Sequence, residues 1–332
     1  MKILIADDEL VSIKKLDRLV RSLGYETIVA SDGQEAWETW KNERPRMVIT
    51  DWMMPRLDGL GLCKKIRKVE GNDYTYIIMV TSREGIKDMV TSMNAGMDDF
   101  ITKPFEKREL AVRIKAGERM LSFITRDMVI FAMAKLAESR DPETGNHLER
   151  MRFYSKTLAE TLARVDDPNY PIDELFIDNI FLTSPLHDIG KIGIPDYVLL
   201  KPGRFDDSEF NIIKKHCCIG FETIKGAVER YPKADYLKMS SEIALYHHEK
   251  FAGTGYPNRL KGKEIPLSAR IVALADSYDA IVSKRVYKSA KSHDMARAII
   301  AEDSNKHFDP MVVNTFFACE DLFIKIFNKF KE

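Results

Sequence analysis

The chain has 332 residues, 45% of them hydrophobic and 31% charged, which is the composition of a soluble globular protein and a length that calls for two cores. Lysine plus arginine number 51 and aspartate plus glutamate also 51, so no net field draws the chain to nucleic acid or to an anionic membrane. No stretch approaches the ~18 uninterrupted apolar residues of a membrane span, and the opening MKILIADDE reads as a strand rather than a cleavable leader. Cys63, Cys217, Cys218 and Cys319 show no CxxC spacing and suit a reducing compartment, so the expected location is the cytoplasm.

The first third alternates β-rich runs with helical stretches. The runs are KILIA (2–6), ETIVA (26–30), MVITD (47–51), YIIMVT (76–81) and DFITK (99–103). Five βα repeats predict a doubly wound, five-stranded parallel sheet covered on both faces. Ligands of such sheets gather at the carboxyl ends of the strands. Asp7, Asp8, Asp51, Thr81 and Lys103 fall at those ends. Converging carboxylates call for a cation, and magnesium suits an all-oxygen site that also takes a phosphate. One carboxylate can then act as nucleophile and carry a phosphoryl group.

With these residues, the Asp51-Trp-Met-Met-Pro55 turn and Lys103-Pro104, residues 1–120 resemble the receiver domain of bacterial two-component response regulators. The resemblance implies a flavodoxin-like fold in which Asp51 accepts a phosphoryl group from a histidine kinase. It also implies that Asp7 or Asp8 holds Mg2+ together with Asp51, and that Thr81 and Phe100 form a switch pair.

From Leu110 the apolar positions fall at Ile114, Gly117, Leu121, Ile124, Met128 and Phe131, a 3.5-residue period. Over residues 107–135 this predicts a connector helix with a coiled-coil seam and a parallel homodimer. Gly117 weakens the seam, and one face of a helix packed within the monomer is the alternative. A continuous helix of this kind can pass a change in dimer geometry from one domain to the other.

Residues 125–332 carry helical periodicity with little strand-like alternation, and an all-α bundle is expected. Five of the seven histidines lie among acidic residues on separate segments: His147, His187, His216, His247 and His248, with Glu143, Asp188 and Asp276. Imidazole and carboxylate without thiolate point to iron, manganese or zinc. Adjacent helical residues point about 100° apart, so His247 and His248 are each expected to serve a different metal. Asp188, with two oxygens, can bridge the two, and such a pair suits phosphoester hydrolysis. Lys191, one turn beyond His187, is placed to stabilise charge or protonate a leaving oxygen. The glycines at 253 and 255 permit backbone angles that a side chain would resist, letting the chain turn sharply before Tyr256.

The motifs RDPETGNHLERM, HDIGKIGIPD, VLLKPG, HHEKFAGTGYP and ALADSYDAIVSKRVYK make this region similar to the HD-GYP family, a branch of the HD-domain phosphohydrolases. The resemblance implies hydrolysis of cyclic di-GMP to linear pGpG, and in some members onward to GMP, at two or three divalent metals. His187, Asp188, His216, His247, His248 and Asp276 match the metal ligands. Glu143 and His147 match positions supplying a third metal in some members. Tyr256, Arg285 and Lys288 match the contacts to the dinucleotide.

Three departures stand out: Ala252 replaces an aspartate, Phe251 a tryptophan and Val286 a proline. The segment DDPNYPIDE (166–174) lengthens the connection between His147 and His187 and is expected to alter the approach to the third metal. His293 is expected to be structural, and His307 in HFDP to organise a turn. Two alternatives remain to the phosphorylation-controlled phosphodiesterase: a catalytically weak cyclic di-GMP receptor or scaffold, and a phosphodiesterase for another cyclic dinucleotide. No basic recognition helix appears, so DNA binding is not expected.

Overall fold

The computed structural model of the protein describes residues 1–71, 73–82, 85–140, 146–165, 167–283 and 290–331. The chain forms two compact units, Met1–Arg126 and Asp127–Glu332.

In the first unit β1 (Lys2–Ala6), β2 (Glu26–Ala30), β3 (Met47–Asp51), β4 (Tyr76–Thr81) and β5 (Asp99–Thr102) pair in the order β2-β1-β3-β4-β5, all parallel. β1, β3 and β4 read as unbroken apolar runs because both faces are covered. On one face α2 (Gly33–Glu43) and α3 (Gly59–Val69) pack Trp40, Leu62 and Ile66 against Leu4, Val48 and Ile77. On the other, α1 (Leu10–Ser22) and the start of α5 (Lys107–Glu138) pack Leu16, Val20, Leu110 and Ile114 against Ile3, Ile5, Met47 and Ile78. α4 spans Ile86–Asn94, between β4 and β5. Asp32 and Asp58 cap α2 and α3 by accepting backbone N–H bonds.

Along α5, the first four of the seven expected seam positions face the sheet of this chain instead. Leu110 and Ile114 are fully buried and Leu121 nearly so, all in the core beneath the sheet. A Cβ on Gly117 would lie 2.5 Å from the Tyr76 ring and 2.6 Å from the Met47 methyl carbon, so this position also faces the sheet. The 3.5-residue period over these four positions therefore records packing within the chain.

The second unit comprises α6 (His147–Ala163), α7 (Glu174–Thr183), α8 (Asp196–Leu199), α9 (Asp207–Ile213), α10 (Lys215–Arg230), α11 (Asp235–Tyr246), α12 (Leu267–Val282), α13 (His293–Glu302) and α14 (Pro310–Lys329). α12 is buried on nearly every side. Its Ile271, Leu274, Ala275 and Tyr278 meet Tyr154 and Leu158 of α6, Ile243 of α11, and Val312, Phe316 and Phe323 of α14. Each large apolar side chain buried there contributes about 1.5–3 kcal/mol. Glu143, the third-metal residue whose approach the segment 166–174 is expected to alter, lies outside the described residues. Within that segment the Tyr170 hydroxyl donates to Asp309, which caps α14 and pairs with Arg270 of α12.

Two short 3-10 turns, Ser184–Leu186 and Ile189–Gly193, flank His187 and Asp188. They sit against α10 so closely that a Cβ on Gly190 would lie 1.9 Å from the His216 carbonyl oxygen. Gly190→Ala must push the turn away from α10, at a cost of about 1–3 kcal/mol. We expect a lower melting temperature together with weakened metal binding; wild-type metal content in a folded variant would refute this.

Candidate metal centre and phosphoacceptor site

In the first unit the carboxyl ends of β1, β3 and β5 bring three side chains together. Lys103 Nζ donates to Asp7 Oδ2 and to Asp51 Oδ1, each at 2.8 Å. Asp51 Oδ2 accepts the Met53 backbone N–H at 2.9 Å. Burial raises the Asp51 pKa, with the Lys103 ammonium opposing it. Burial would lower the Lys103 pKa, but its bonds to Asp51 and Asp7 raise it. Two carboxylates thus share one ammonium, and the exposed Asp8 adjoins them. This oxygen-rich, net negative set fits a hard divalent cation such as Mg2+. Thr81, at the end of β4, and Phe100, in β5, are both buried.

In the second unit the ligand-bearing side chains fall into two groups. Asp188, His216, His247 and His248 form one, and His147, His187 and Asp276 the other; within each, the ligand atoms lie within 4.8 Å of one another. Asp188 stands between them. Its Oδ1 is 3.3 Å from His216 Nε2 and 3.7 Å from His247 Nε2, while its Oδ2 is 3.3 Å from His187 Nε2. Lys191 Nζ reaches the same Oδ2 at 2.9 Å, from a 3-10 turn rather than the regular helix expected.

The grouping corrects one expectation. His247 and His248 share a group, their rings 4.1 Å apart. His247 still caps α11 with helical dihedrals and an N–H bond to the Ile243 carbonyl, so the offset between neighbouring side chains does not keep two imidazoles out of one group. Glu143, Arg285, Val286 and Lys288 lie outside the described residues. Cys217 belongs to neither ligand group; burial pushes its thiol pKa up.

Four of the histidines are aimed by a partner on Nδ1. The carbonyls of Ser184, Ile213 and Ile243 accept from His187, His216 and His247 at 2.9, 2.7 and 2.9 Å. His147 Nδ1 instead donates to Asp279 Oδ2 at 2.8 Å. With Nδ1 engaged, Nε2 carries the lone pair that faces the centre. His147 Nε2, His187 Nε2 and Asp188 Oδ1 are buried without a hydrogen-bond partner. Buried orphan acceptors converging from separate elements fit metal ions, which would satisfy them.

Charge reinforces the fit. Burial, with the neighbouring imidazoles, drives His247 down to about 3 and His248 well below its ordinary value, so both are neutral ligands. Without a metal, burial would also lower His187, but the Asp188 carboxylate outweighs it and raises the pKa to about 9, so a cation taking Nε2 as ligand must displace a proton. Burial opposes ionisation of Asp188, yet Lys191 and His187 hold it well below the usual carboxylate range. Five imidazoles and two carboxylates without thiolate are a borderline-hard set, the kind that binds iron, manganese or zinc.

The loop after His248 folds back on the centre. Tyr256 N donates to the His248 carbonyl at 3.3 Å, and the two rings lie 4.9 Å apart. Gly253 adopts φ +81°, whereas Gly255 is needed for closeness: a Cβ there would meet Lys250 N at 2.3 Å. The carbonyls of His307 and Lys306 accept the N–H groups of Phe251 and Ala252 at 3.0 and 2.8 Å. The HFDP turn thus supports the loop, and Ala252, with an exposed side chain, takes part through its backbone. His293 bonds the Tyr278 hydroxyl, away from both ligand groups.

Sequence reasoning missed three residues that shape the site. Asp279 accepts from His147 and from Arg150 Nε at 2.6 Å, and Arg150 continues to the Phe330 carbonyl. Buried Glu249 accepts the Asn258 N–H at 2.6 Å and pins the Tyr256 loop. A signal existed: Arg150 lies three residues beyond His147, and Asp279 three beyond Asp276, each a charge on an apolar helix.

The response regulator receiver domain family matches residues 3–115, and the HD domain family residues 132–312. The chain is 36% identical over 358 residues to a probable cyclic di-GMP phosphodiesterase of Vibrio cholerae, covering 99% of this chain and 80% of that one. It is 32% identical to a cyclic di-GMP phosphodiesterase of Thermotoga maritima, covering 100% of this chain and 94% of that one. A 3'3'-cGAMP-specific phosphodiesterase 2 of Vibrio cholerae is 38% identical over 61% of this chain and 36% of its own length. The chain therefore belongs to the response regulators in which a receiver domain is followed by an HD domain.

Proposed function

We propose that the protein is a cyclic di-GMP phosphodiesterase controlled by phosphorylation of Asp51 by a histidine kinase. The observation that carries the reading is Asp188, one oxygen turned to each ligand group and Lys191 on its flank. Relatives spanning nearly the whole chain, named for cyclic di-GMP hydrolysis, support the substrate.

His216, His247 and His248 would hold one divalent cation and His147, His187 and Asp276 another, with Asp188 shared; iron or manganese suits the set. Glu143 is proposed to join His147 at a third. Such cations, when bound, lower the pKa of a bound water and neutralise phosphoryl oxygens. The chain's own part is to orient and protonate. Water adds to phosphorus, the bond to the 3'-oxygen breaks, and Lys191 is placed to give that oxygen its proton or to steady the phosphoryl charge. The product is linear pGpG, and a second hydrolysis yields GMP. Tyr256, Arg285 and Lys288 are proposed to contact the dinucleotide. In the receiver, Asp7 or Asp8 with Asp51 would hold Mg2+, and Lys103 would move with the phosphoryl oxygens of Asp51.

Protein reconstituted with iron or manganese is expected to convert cyclic di-GMP to pGpG or GMP. Binding without turnover in both metals would leave a receptor. The similarity to a 3'3'-cGAMP-specific enzyme makes that dinucleotide the second substrate to assay, and faster turnover of it would reassign the specificity. Asp51→Asn should abolish labelling by acetyl phosphate and Mg2+, read as loss of retardation on a phosphate-affinity gel. Labelling of the variant at the wild-type level would exclude Asp51 as acceptor.

A further inference from the structure

A series of aromatic rings leads outward from the metal ligands. The His247 and His248 rings are 4.1 Å apart, His248 and Tyr256 4.9 Å, and Tyr256 and Phe210 6.1 Å at 82°. Phe210, on α9, is the outermost, and it is 45% exposed. Four residues on, Lys214 folds back so that its Nζ lies 4.9 Å from the Phe210 centroid and 6.0 Å from that of Tyr256. A spacing of four places both side chains on one face of the helical turn. Lys214 forms no ion pair with a carboxylate among the described residues, although its ammonium is only partly exposed. An exposed phenyl ring and an ammonium held by aromatic faces, with no carboxylate partner among the described residues, have no evident role in the helix core.

We propose that Phe210 and Lys214 form a shelf for one purine base of the cyclic dinucleotide and that Lys214 makes the shelf select guanine. The proposal rests on the phosphodiesterase reading above, since it takes the phosphate to lie at the ligand groups and the base to lie outward along the rings. A base has a flat π-face, and stacking on an exposed aromatic ring recognises it whatever its identity. Lysine adds the discrimination. An ammonium is a donor only, and guanine offers the acceptors O6 and N7 side by side, whereas adenine places an amino donor beside N7. An ammonium at the base edge therefore favours guanine and meets a competing donor in adenine.

The test measures dissociation constants by calorimetry, steady-state kinetics and metal content for the full chain loaded with manganese. The ligands are cyclic di-GMP, 3'3'-cGAMP and cyclic di-AMP. Phe210→Ala should weaken cyclic di-GMP by about tenfold or more in Kd and KM, the range of one stacked base, with kcat within about twofold of wild type and metal content unchanged. Phe210→Trp should restore binding. Lys214→Met should narrow the preference for cyclic di-GMP over cyclic di-AMP. Wild-type Kd in Phe210→Ala would overturn the shelf while leaving the phosphodiesterase standing. Equal weakening of all three ligands by Lys214→Met would move the lysine to a phosphate and overturn the guanine selection. A wild-type protein that binds cyclic di-GMP without hydrolysing it would defeat the enzymatic reading alone, because the dissociation constants would still test the shelf. One that binds none of the three would overturn both.

Discussion

Asp188→Ala is expected to empty both halves of the metal centre at once. Its carboxylate turns one oxygen to each ligand group, Oδ1 at 3.3 Å from His216 Nε2 and Oδ2 at 3.3 Å from His187 Nε2. Without the carboxylate, the three imidazoles of one group and the mixed set of the other each lose a ligand and a negative charge. The Lys191 ammonium, which Asp188 contacts at 2.9 Å, then faces any incoming cation without that carboxylate between them. We expect metal content to fall to near zero and hydrolysis to fall by at least about 100-fold, the upper end of what a merely supporting residue costs. The fold should persist, because His187, relieved of Asp188, reverts to the neutral form that its burial favours. Metal analysis of the folded variant decides the point: wild-type stoichiometry would show that Asp188 bridges nothing.

Asp279→Asn should have a different signature, affecting stability as well as one ligand group. Asp279 accepts from His147 Nδ1, Arg150 Nε and Arg150 Nη2, at 2.8, 2.6 and 3.0 Å, in a fully packed interior. An asparagine has one oxygen for these three donors and removes the carboxylate charge that faces the Arg150 cation, at a cost of about 3–5 kcal/mol. It also loosens the His147 ring, and metal affinity at the group with His187 and Asp276 should drop about 10–100-fold. Combining it with Arg150→Met removes the orphaned charge. Denaturant unfolding should then recover while metal affinity stays low, which separates the positioning role from the structural one. Joint recovery of both would assign Asp279 to folding alone. The pair also sets an acid limit. The folded Asp279 pKa is about 2, below the ordinary 3.8, because its bonds from His147 and Arg150 outweigh burial. Its contribution is full above pH 3.8 and is lost as the pH falls through 2, so the variant should show a shallower acid transition in this range.

Much of this was legible in the residues themselves. Runs such as YIIMVT are apolar on both faces, which only a covered parallel sheet requires, and aspartates at the strand ends mark where its ligand lies. Five histidines in acidic company report metal chemistry wherever they end up in space. The connector was harder to read. Leu110, Ile114 and Leu121 are spaced alike whether a helix meets a second copy or its own sheet, and only the position of Tyr76 and Met47 beside Gly117 distinguishes the two. Asp279 escaped notice because its partner His147 is 132 residues away.

By itself, then, the sequence determined the element types, the sheet, the division into a receiver and a helical part, and the residue types that carry the chemistry. These follow from periodicity and side-chain chemistry, which are local. The tertiary structure alone decided which imidazoles share a ligand group, that Asp188 lies between the groups, and that Phe210 and Lys214 stand beside Tyr256. Spacing predicts direction only while the chain stays in one regular element. For His247 and His248, at the end of α11, spacing gives the angular offset, but only the packing of the His216 ring of α10 against both brings them into one group.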